Sequence, residues 1–482
     1  MKQLSPQDAT FLYLESEHNY NHVTSVQIYD PMTDPNKIGF NFRDLVEHVT
    51  SRLSYIPFLT ERLVRLPLEL DFPYWIADDH FDIEYHINEG HLPENADWPI
   101  FCDHIARYHS RPLNPNRPLW DMYVLQGLDN VGGIPKGCYA ILTKVHHAAV
   151  DGAAMVRFFG MMHDIDAKGT PVLAIEPERI VGHDCLPNTK EIIKRALVAN
   201  LGSPVRMADT VMRLAPSLYR ATQKYVRSKR ENSGKTVVPD TRFNSKVSPH
   251  KIFDATRFPL DDLKKIRQVV PGATINDVVL AICSGGLRLY LNAHNELPEE
   301  SLIAWVPINT RSKNDDPAEG NNISAMTVPI FTQIAEPVSR LQYIYQATQQ
   351  TKEAKSGVSA KLMTDLSKHI PAATQLIASR LLLKNNTKLR MCNLFISNLP
   401  GPQQAYYMQG SKVIATYGLT PINDGMGLFI NTPSYDGSLM FNVVSTRELL
   451  PDIRFFVECL EAAASELKKA ADRELILQKK VP

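Results

Sequence analysis

Gly137-Cys138-Tyr139-Ala140-Ile141-Leu142-Thr143-Lys144-Val145-His146-His147-Ala148-Ala149-Val150-Asp151-Gly152 is the stretch that decides the fold. Residues 137–146 form a strongly strand-like run. A short turn follows. From Gly152 onward, Met155, Phe158, Phe159, Met162 and Ile165 recur at helical spacing. Side chains alternate along a strand, so His147 shares a face with Tyr139, Ile141, Thr143 and Val145. His146 shares the other with Ala140, Leu142 and Lys144. The two imidazoles therefore point apart, which disfavours joint metal binding. A histidine at a strand end suits a general base, because its unperturbed pKa lies near neutrality. Alternatively, both are satisfied core histidines and Asp151 is the N-cap of the helix.

Working outward, the same grammar recurs. Residues 22–29 read as a strand and 42–53 as a helix ahead of Pro57. Thr274-Ile275-Asn276-Asp277 opens a long apolar helix, with Thr274 as N-cap and Asp277 at the capping-box position. Residues 302–309 and 394–399 read as strands, and Ser434-Tyr435-Asp436-Gly437 as a hairpin turn. Pro451 starts a final amphipathic helix. Strands alternating with helices in both halves predict an α/β fold of two related sandwiches.

The 52 Lys+Arg balance 52 Asp+Glu, and that zero net charge removes the usual case for a nucleic-acid partner. The balance hides a local excess. Residues 190–230 carry ten Lys/Arg against two acids, with apolar positions at helical spacing interrupted by Pro204 and Pro216. A basic amphipathic segment is expected either to meet a membrane surface or to cross between domains with its apolar stripe packed on the protein. A polar linker follows at 231–249. The expected division is thus 1–185, a crossover and linker at 186–249, and 250–482. The cysteines at 102, 138, 185, 283, 392 and 459 form no CxxC pair, so neither a zinc site nor a redox dithiol is expected. With no signal-like start and no spanning apolar run, a soluble, intracellular, reduced protein is expected.

His146-His147-x-x-x-Asp151-Gly152 is similar to the signature of the CoA-dependent acyltransferase superfamily. Leu4-Ser5-Pro6-Gln7-Asp8, Pro118-Leu119-Trp120, Asn276-Asp277 and Ser397-Asn398-Leu399-Pro400-Gly401-Pro402 narrow the resemblance to bacterial bifunctional wax ester synthases/diacylglycerol acyltransferases. It covers nearly the whole chain. Leu399 stands where valine is commoner in that family.

The resemblance implies two chloramphenicol-acetyltransferase-like α/β sandwich domains with an active-site tunnel between them. It also implies long-chain acyl transfer from acyl-CoA, as a substrate and not a bound cofactor, to a fatty alcohol or diacylglycerol. His147 would be the general base beside His146, with no acyl-enzyme. Asp151 would be structural, with Arg311 the candidate ion-pair partner, and Gly152 would let backbone pass close to substrate. Pro118, Leu119 and Trp120 would pack the tunnel wall or core. Asn276 and Asp277 would be mainly structural, with Asn276 able to donate a hydrogen bond near the thioester. The amides of the Ser397, Asn398 and Gly401 segment would help position CoA. A metal is not implied. Another alcohol or amine acceptor, or a noncatalytic relative, are the competing possibilities. The lipid acceptors imply a cytoplasmic enzyme peripherally associated with the inner membrane or with lipid inclusions.

Overall fold

The computed structural model describes residues 2–31, 40–150, 152–172, 238–309, 323–355, 370–385 and 390–478. Asp151, Arg311 and the basic stretch at 190–230 lie outside the described residues.

In the first half the strands are β1 (Lys2–Gln3), β2 (His22–Asp30), β3 (Glu61–Val64), β4 (Tyr74–Ala77), β5 (Ile87–His91), β6 (Trp120–Gln126) and β7 (Tyr139–His146). The helices there are α1 (Pro6–Tyr13), α2 (Phe42–Arg52), α3 (Trp98–Ser110) and α4 (Gly152–Met162). The second half holds β8 (Lys251–Pro259), β9 (Ile303–Asn309), β10 (Ile323–Pro329), β11 (Leu394–Leu399), β12 (Tyr407–Met408), β13 (Ser411–Leu419), β14 (Phe429–Tyr435) and β15 (Ser438–Thr446). Its helices are α5 (Leu260–Ile266), α6 (Ile275–Ala293), α7 (Pro337–Lys355), α8 (Ala372–Asn385) and α9 (Ile453–Gln478).

These strands form two six-stranded mixed sheets, β12-β13-β2-β7-β6-β5 and β10-β9-β11-β14-β15-β8, beside a small β1-β4-β3 sheet. The first sheet is completed from the far end of the chain: β13 pairs antiparallel with β2, Lys412 opposite Asp30 through Leu419 opposite Thr24.

Every position of β7 is buried, as a central strand covered on both faces requires. Its odd positions Tyr139, Ile141 and Val145 pack with Leu45 and Val49 of α2 and Phe158 of α4. Its even positions Ala140 and Leu142, with Cys138 just ahead, pack on Phe101 and Ile105 of α3. That second cluster also takes in Phe253, Ala255, Met440 and Val444 from β8 and β15. Helix α3 is thus the apolar filling between the two sheets. The halves share a core.

Sequence signals account for the local joints. Asp436 and Gly437 both have positive φ, 42° and 74°, the pair that a two-residue hairpin turn requires. The Thr274 hydroxyl accepts the Asp277 amide while the Asp277 carboxylate accepts the Thr274 amide, closing the expected capping box.

Candidate functional site

At the end of β7, two consecutive amides go to opposite neighbours. His146 N–H donates to Leu119 O at 3.0 Å, and His147 N–H donates to Asn21 O at 2.8 Å. The two amides thus alternate sides up to His147, where the strand gives way to a turn that the Ala149 amide closes on His146 O.

His146 is 4% exposed, and both its ring nitrogens are engaged inside the protein. The Ala148 amide donates to Nδ1 at 3.0 Å. A backbone amide can only donate, so Nδ1 carries no proton and Nε2–H donates to Glu15 Oε1 at 3.0 Å. His146 O accepts the Ala149 amide at 2.9 Å. These bonds give His146 to the turn: it shapes the backbone that carries His147.

His147 is half-buried, and its Nδ1 is buried. Its ring stacks on Phe11 with centroids 4.0 Å apart and planes 12° from parallel. One ring face is covered by Phe11 and one ring nitrogen lies inside the protein. Phe11 is delivered by α1. Ser5 caps that helix by accepting the Asp8 amide at 3.1 Å, and Pro6 stands in its first turn. Asn21 Nδ2 donates to Phe11 O at 2.6 Å, and the Asn21 amide donates to Glu15 Oε1 at 2.9 Å. Phe11, Glu15 and Asn21 thus cradle both histidines. Sequence reasoning missed all three, although the Leu4–Asp8 segment that positions them was singled out. The signal available was that segment's neighbourhood, since no spacing rule connects residue 11 to residue 147.

The remaining motif residues separate into two places. Leu119 O holds the His146 amide, and Trp120 is fully buried opposite Val145, its Nε1–H donating to Leu59 O at 2.8 Å. The Trp120 indole also stacks on His86 at 4.5 Å. Pro118, Leu119 and Trp120 therefore lock the strand beside β7 from within the core. Asn276 and Asp277 belong to the second half. Asp277 is 0% exposed, and its carboxylate accepts from the Thr274 amide and hydroxyl and from Thr348 Oγ1 at 2.8 Å. Those bonds tie α6 to α7, and they engage both carboxylate oxygens within the protein. Asn276, next to it, is half-buried.

Ser397, Asn398 and Leu399 close β11, parallel to β14. Among the amides expected to be exposed for CoA, that of Gly401 is spoken for: it donates to Ser434 Oγ at 3.0 Å. A Cβ at Gly401 would lie 2.1 Å from Ser434 O, so only glycine lets this segment lie against β14. Gly152, the last residue of the signature, begins α4.

Between the halves lies a shallow cleft lined by His18, Tyr20, His22, His109, Ser110 and Lys251, among others. His22 pairs with His146 across β2 and β7, which places the cleft one strand from the signature. Burial dominates the titration of its walls. It holds His109 down to about 3, His22 well below the usual histidine range, and Lys251 down to about 8. On β7, burial lowers Lys144 to about 8, and its ammonium donates to Tyr108 O and Arg111 O at 2.9 Å, at the C-terminal end of α3. Burial pushes the Cys138 thiol up to about 12, the opposite of what a nucleophilic cysteine needs.

Among the described residues no group of His, Cys, Asp and Glu is arranged to hold a metal ion, and no helix is long and apolar enough to cross a membrane.

Two family models match the chain. One, described as the wax ester synthase/diacylglycerol acyltransferase catalytic domain, covers residues 4–279, and one described as the WS/DGAT C-terminal domain covers 319–468. A putative diacylglycerol O-acyltransferase of Mycobacterium tuberculosis is 30% identical over 480 residues, spanning 98% of this chain and 91% of that protein. O-acyltransferase WSD of Acinetobacter baylyi is 29% identical over 468 residues, 96% of each chain. The solved wax ester synthase/diacylglycerol acyltransferase of Marinobacter aquaeolei VT8 superposes with a TM-score of 0.68 at 23% identity, covering 98% of this chain and 100% of that one. A starter condensation domain of rhizomide synthetase, solved in complex with C8-CoA, superposes with a TM-score of 0.52 at 12% identity, covering 96% and 95%.

Proposed function

The chain belongs to the wax ester synthase/diacylglycerol acyltransferase family, and from that premise we propose that His147 is the general base of its acyl transfer. The protein is an O-acyltransferase of the wax ester and diacylglycerol acylation class, its acceptors a fatty alcohol or diacylglycerol. Acyl-CoA is the proposed donor, a substrate and not a resident cofactor. A structural neighbour solved with C8-CoA supports that choice.

The observation that carries the assignment of His147 is its setting. One ring face lies against Phe11 and Nδ1 is buried, so Nε2 is the nitrogen through which a hydroxyl is reached. Nε2 takes the proton of the acceptor hydroxyl as its oxygen attacks the thioester carbon. The tetrahedral oxyanion collapses, the C–S bond breaks, and the imidazolium returns the proton to the leaving thiolate. The products are an ester and free CoA. The nucleophile is the acceptor's own oxygen, so no covalent enzyme intermediate forms, and the buried, proton-retaining Cys138 is consistent with that.

Around the base, His146 is a positioning residue through Ala148 and Glu15. Asp151 paired with Arg311 would fix the far side of the turn. A tunnel between the halves would bring donor and acceptor together. Acceptors of this class partition into lipid. The basic stretch at 190–230 is therefore assigned to peripheral contact with an anionic inner-membrane or lipid-inclusion surface, with the enzyme on the cytoplasmic side.

Purified protein given acyl-CoA with hexadecanol, and separately with diacylglycerol, is expected to release free thiol and form the matching ester. His147→Ala is expected to cut that rate by roughly 10²–10⁴-fold, the usual worth of a general base. A folded His147→Ala protein with near-normal turnover would remove His147 from the mechanism.

A further inference from the structure

We propose that Phe11 is a positioning residue for the transfer reaction: its ring holds the His147 imidazole edge-on to the substrate, and its π face favours the imidazolium that forms when the hydroxyl proton is taken. This rests on His147 acting as the base.

The stack is nearly parallel, at 4.0 Å and 12°, within the range where a cation gains from an aromatic face. It is also built, not incidental. The Phe11 carbonyl is held by Asn21 Nδ2, and the Asn21 carbonyl holds the His147 amide. Ring and backbone of the two residues are thus cross-braced through one asparagine. The Ser5 cap and Pro6 fix the start of the helix that presents Phe11, and Gln375 of α8 bonds that helix from outside through Pro6 O and Thr10 Oγ1. A ring braced in this way denies the imidazole rotation about its Cβ–Cγ bond, which would swing Nε2 away from the reacting oxygen. Phe11 touches no reacting atom and acts through His147.

The titratable and charged groups on the elements packed around the pair include Asp8 and Tyr13 on α1, Glu15 in the loop after it, His22 on β2, Lys144 and His146 on β7 and Arg380 on α8. Arg380 reaches in to donate to Glu15 O at 2.7 Å. A substitution at Phe11 leaves all of them in place, so a change in His147 titration reports on the ring.

The full-length protein is compared with Phe11→Leu, which keeps an apolar side chain and removes the π face, and with Phe11→Tyr, which keeps it. Two readouts are taken: the pH profile of kcat/KM for thiol release, and the titration of His147 followed by NMR of histidine-labelled protein, its resonance identified by its loss in His147→Ala. Phe11→Leu is expected to move the His147 titration and the acid limb of the profile to lower pH by about half a unit. It is expected to lower the plateau roughly 3- to 10-fold. Phe11→Tyr is expected to restore both. An unmoved or upward-moving His147 titration in Phe11→Leu overturns the proposal, as does equal loss in Phe11→Tyr. If Phe11→Leu does not fold, Phe11→Met replaces it with the same expectations. The two assignments fail separately: an active His147→Ala protein rejects the base, while the NMR titration judges the stack by itself.

Discussion

Replacing Glu15 by alanine tests whether the turn that carries His147 is set by its neighbours. Oε1 of Glu15 accepts His146 Nε2–H at 3.0 Å and the Asn21 amide at 2.9 Å. Both donors sit on residues no more than 4% exposed, so removing their acceptor strands them inside the protein. Hydrogen bonds to a charged acceptor are worth about 1.5–3 kcal/mol each, which puts the upper bound near 6 kcal/mol. The Glu15 side chain is itself 27% exposed, and water entering its place recovers part of that, leaving a cost of roughly 2–3 kcal/mol. If about 2 kcal/mol of this is felt as loss of the aligned turn, turnover falls roughly 10- to 30-fold. Glu15→Gln keeps an oxygen that accepts the same two donors and is expected to retain most activity. The assay is thiol release at saturating acyl-CoA, with urea unfolding of each variant monitored in parallel. A folded Glu15→Ala enzyme within twofold of the parent would refute the claim that Glu15 holds the turn, as would equal losses in Glu15→Ala and Glu15→Gln.

Other expectations follow from particular side chains. Cys138→Ser should retain near-parental kcat, because burial holds the thiol up to about 12 and its strand position faces α3, away from His147; loss of turnover in a folded variant would reopen a cysteine mechanism. His109 and His163 are both held down to about 3 by burial, whereas the unfolded chain protonates near 6.5, so their stability contribution is full above 6.5 and is lost as pH falls toward 3. At pH 5 each should lower stability by about 2 kcal/mol relative to pH 7.5, read as a lower urea midpoint; an unchanged midpoint would contradict neutral burial of this pair. Gly401→Ala would put a methyl 2.1 Å from Ser434 O, so the segment must shift. A loss of at least ~1–3 kcal/mol is expected in urea titration, and a variant as stable as the parent would show that the contact yields.

Much of this molecule was legible because it is local. The β7-turn-α4 unit, the Asp436-Gly437 hairpin and the Thr274–Asp277 capping box each depend on neighbours within a few residues. Alternation and capping carry over from sequence without knowledge of the rest of the chain. The divergence of His146 and His147 belongs to the same class. It was expected from strand alternation, and the alternating amides to Leu119 and Asn21 are in keeping with that expectation as far as the backbone goes.

What tertiary structure alone decided is who stands next to these groups. Nothing in the local sequence ties Phe11 to a ring more than a hundred residues away against which it stacks. Glu15 could not be told from a surface acid until His146 and Asn21 converged on it. β13 was not read from the sequence, and only folding carries it back to pair with β2 and complete the first sheet. Likewise the Pro-Gly turn after β11 was readable, but the loss of its Gly401 amide to Ser434 was not, because that partner lies on another strand. By itself the sequence determined local elements and their faces and singled out the histidine proposed as the base, since backbone sterics and side-chain chemistry act over short range. The folded chain determined the cradle, because packing brings together residues whose separation along the chain no local rule encodes.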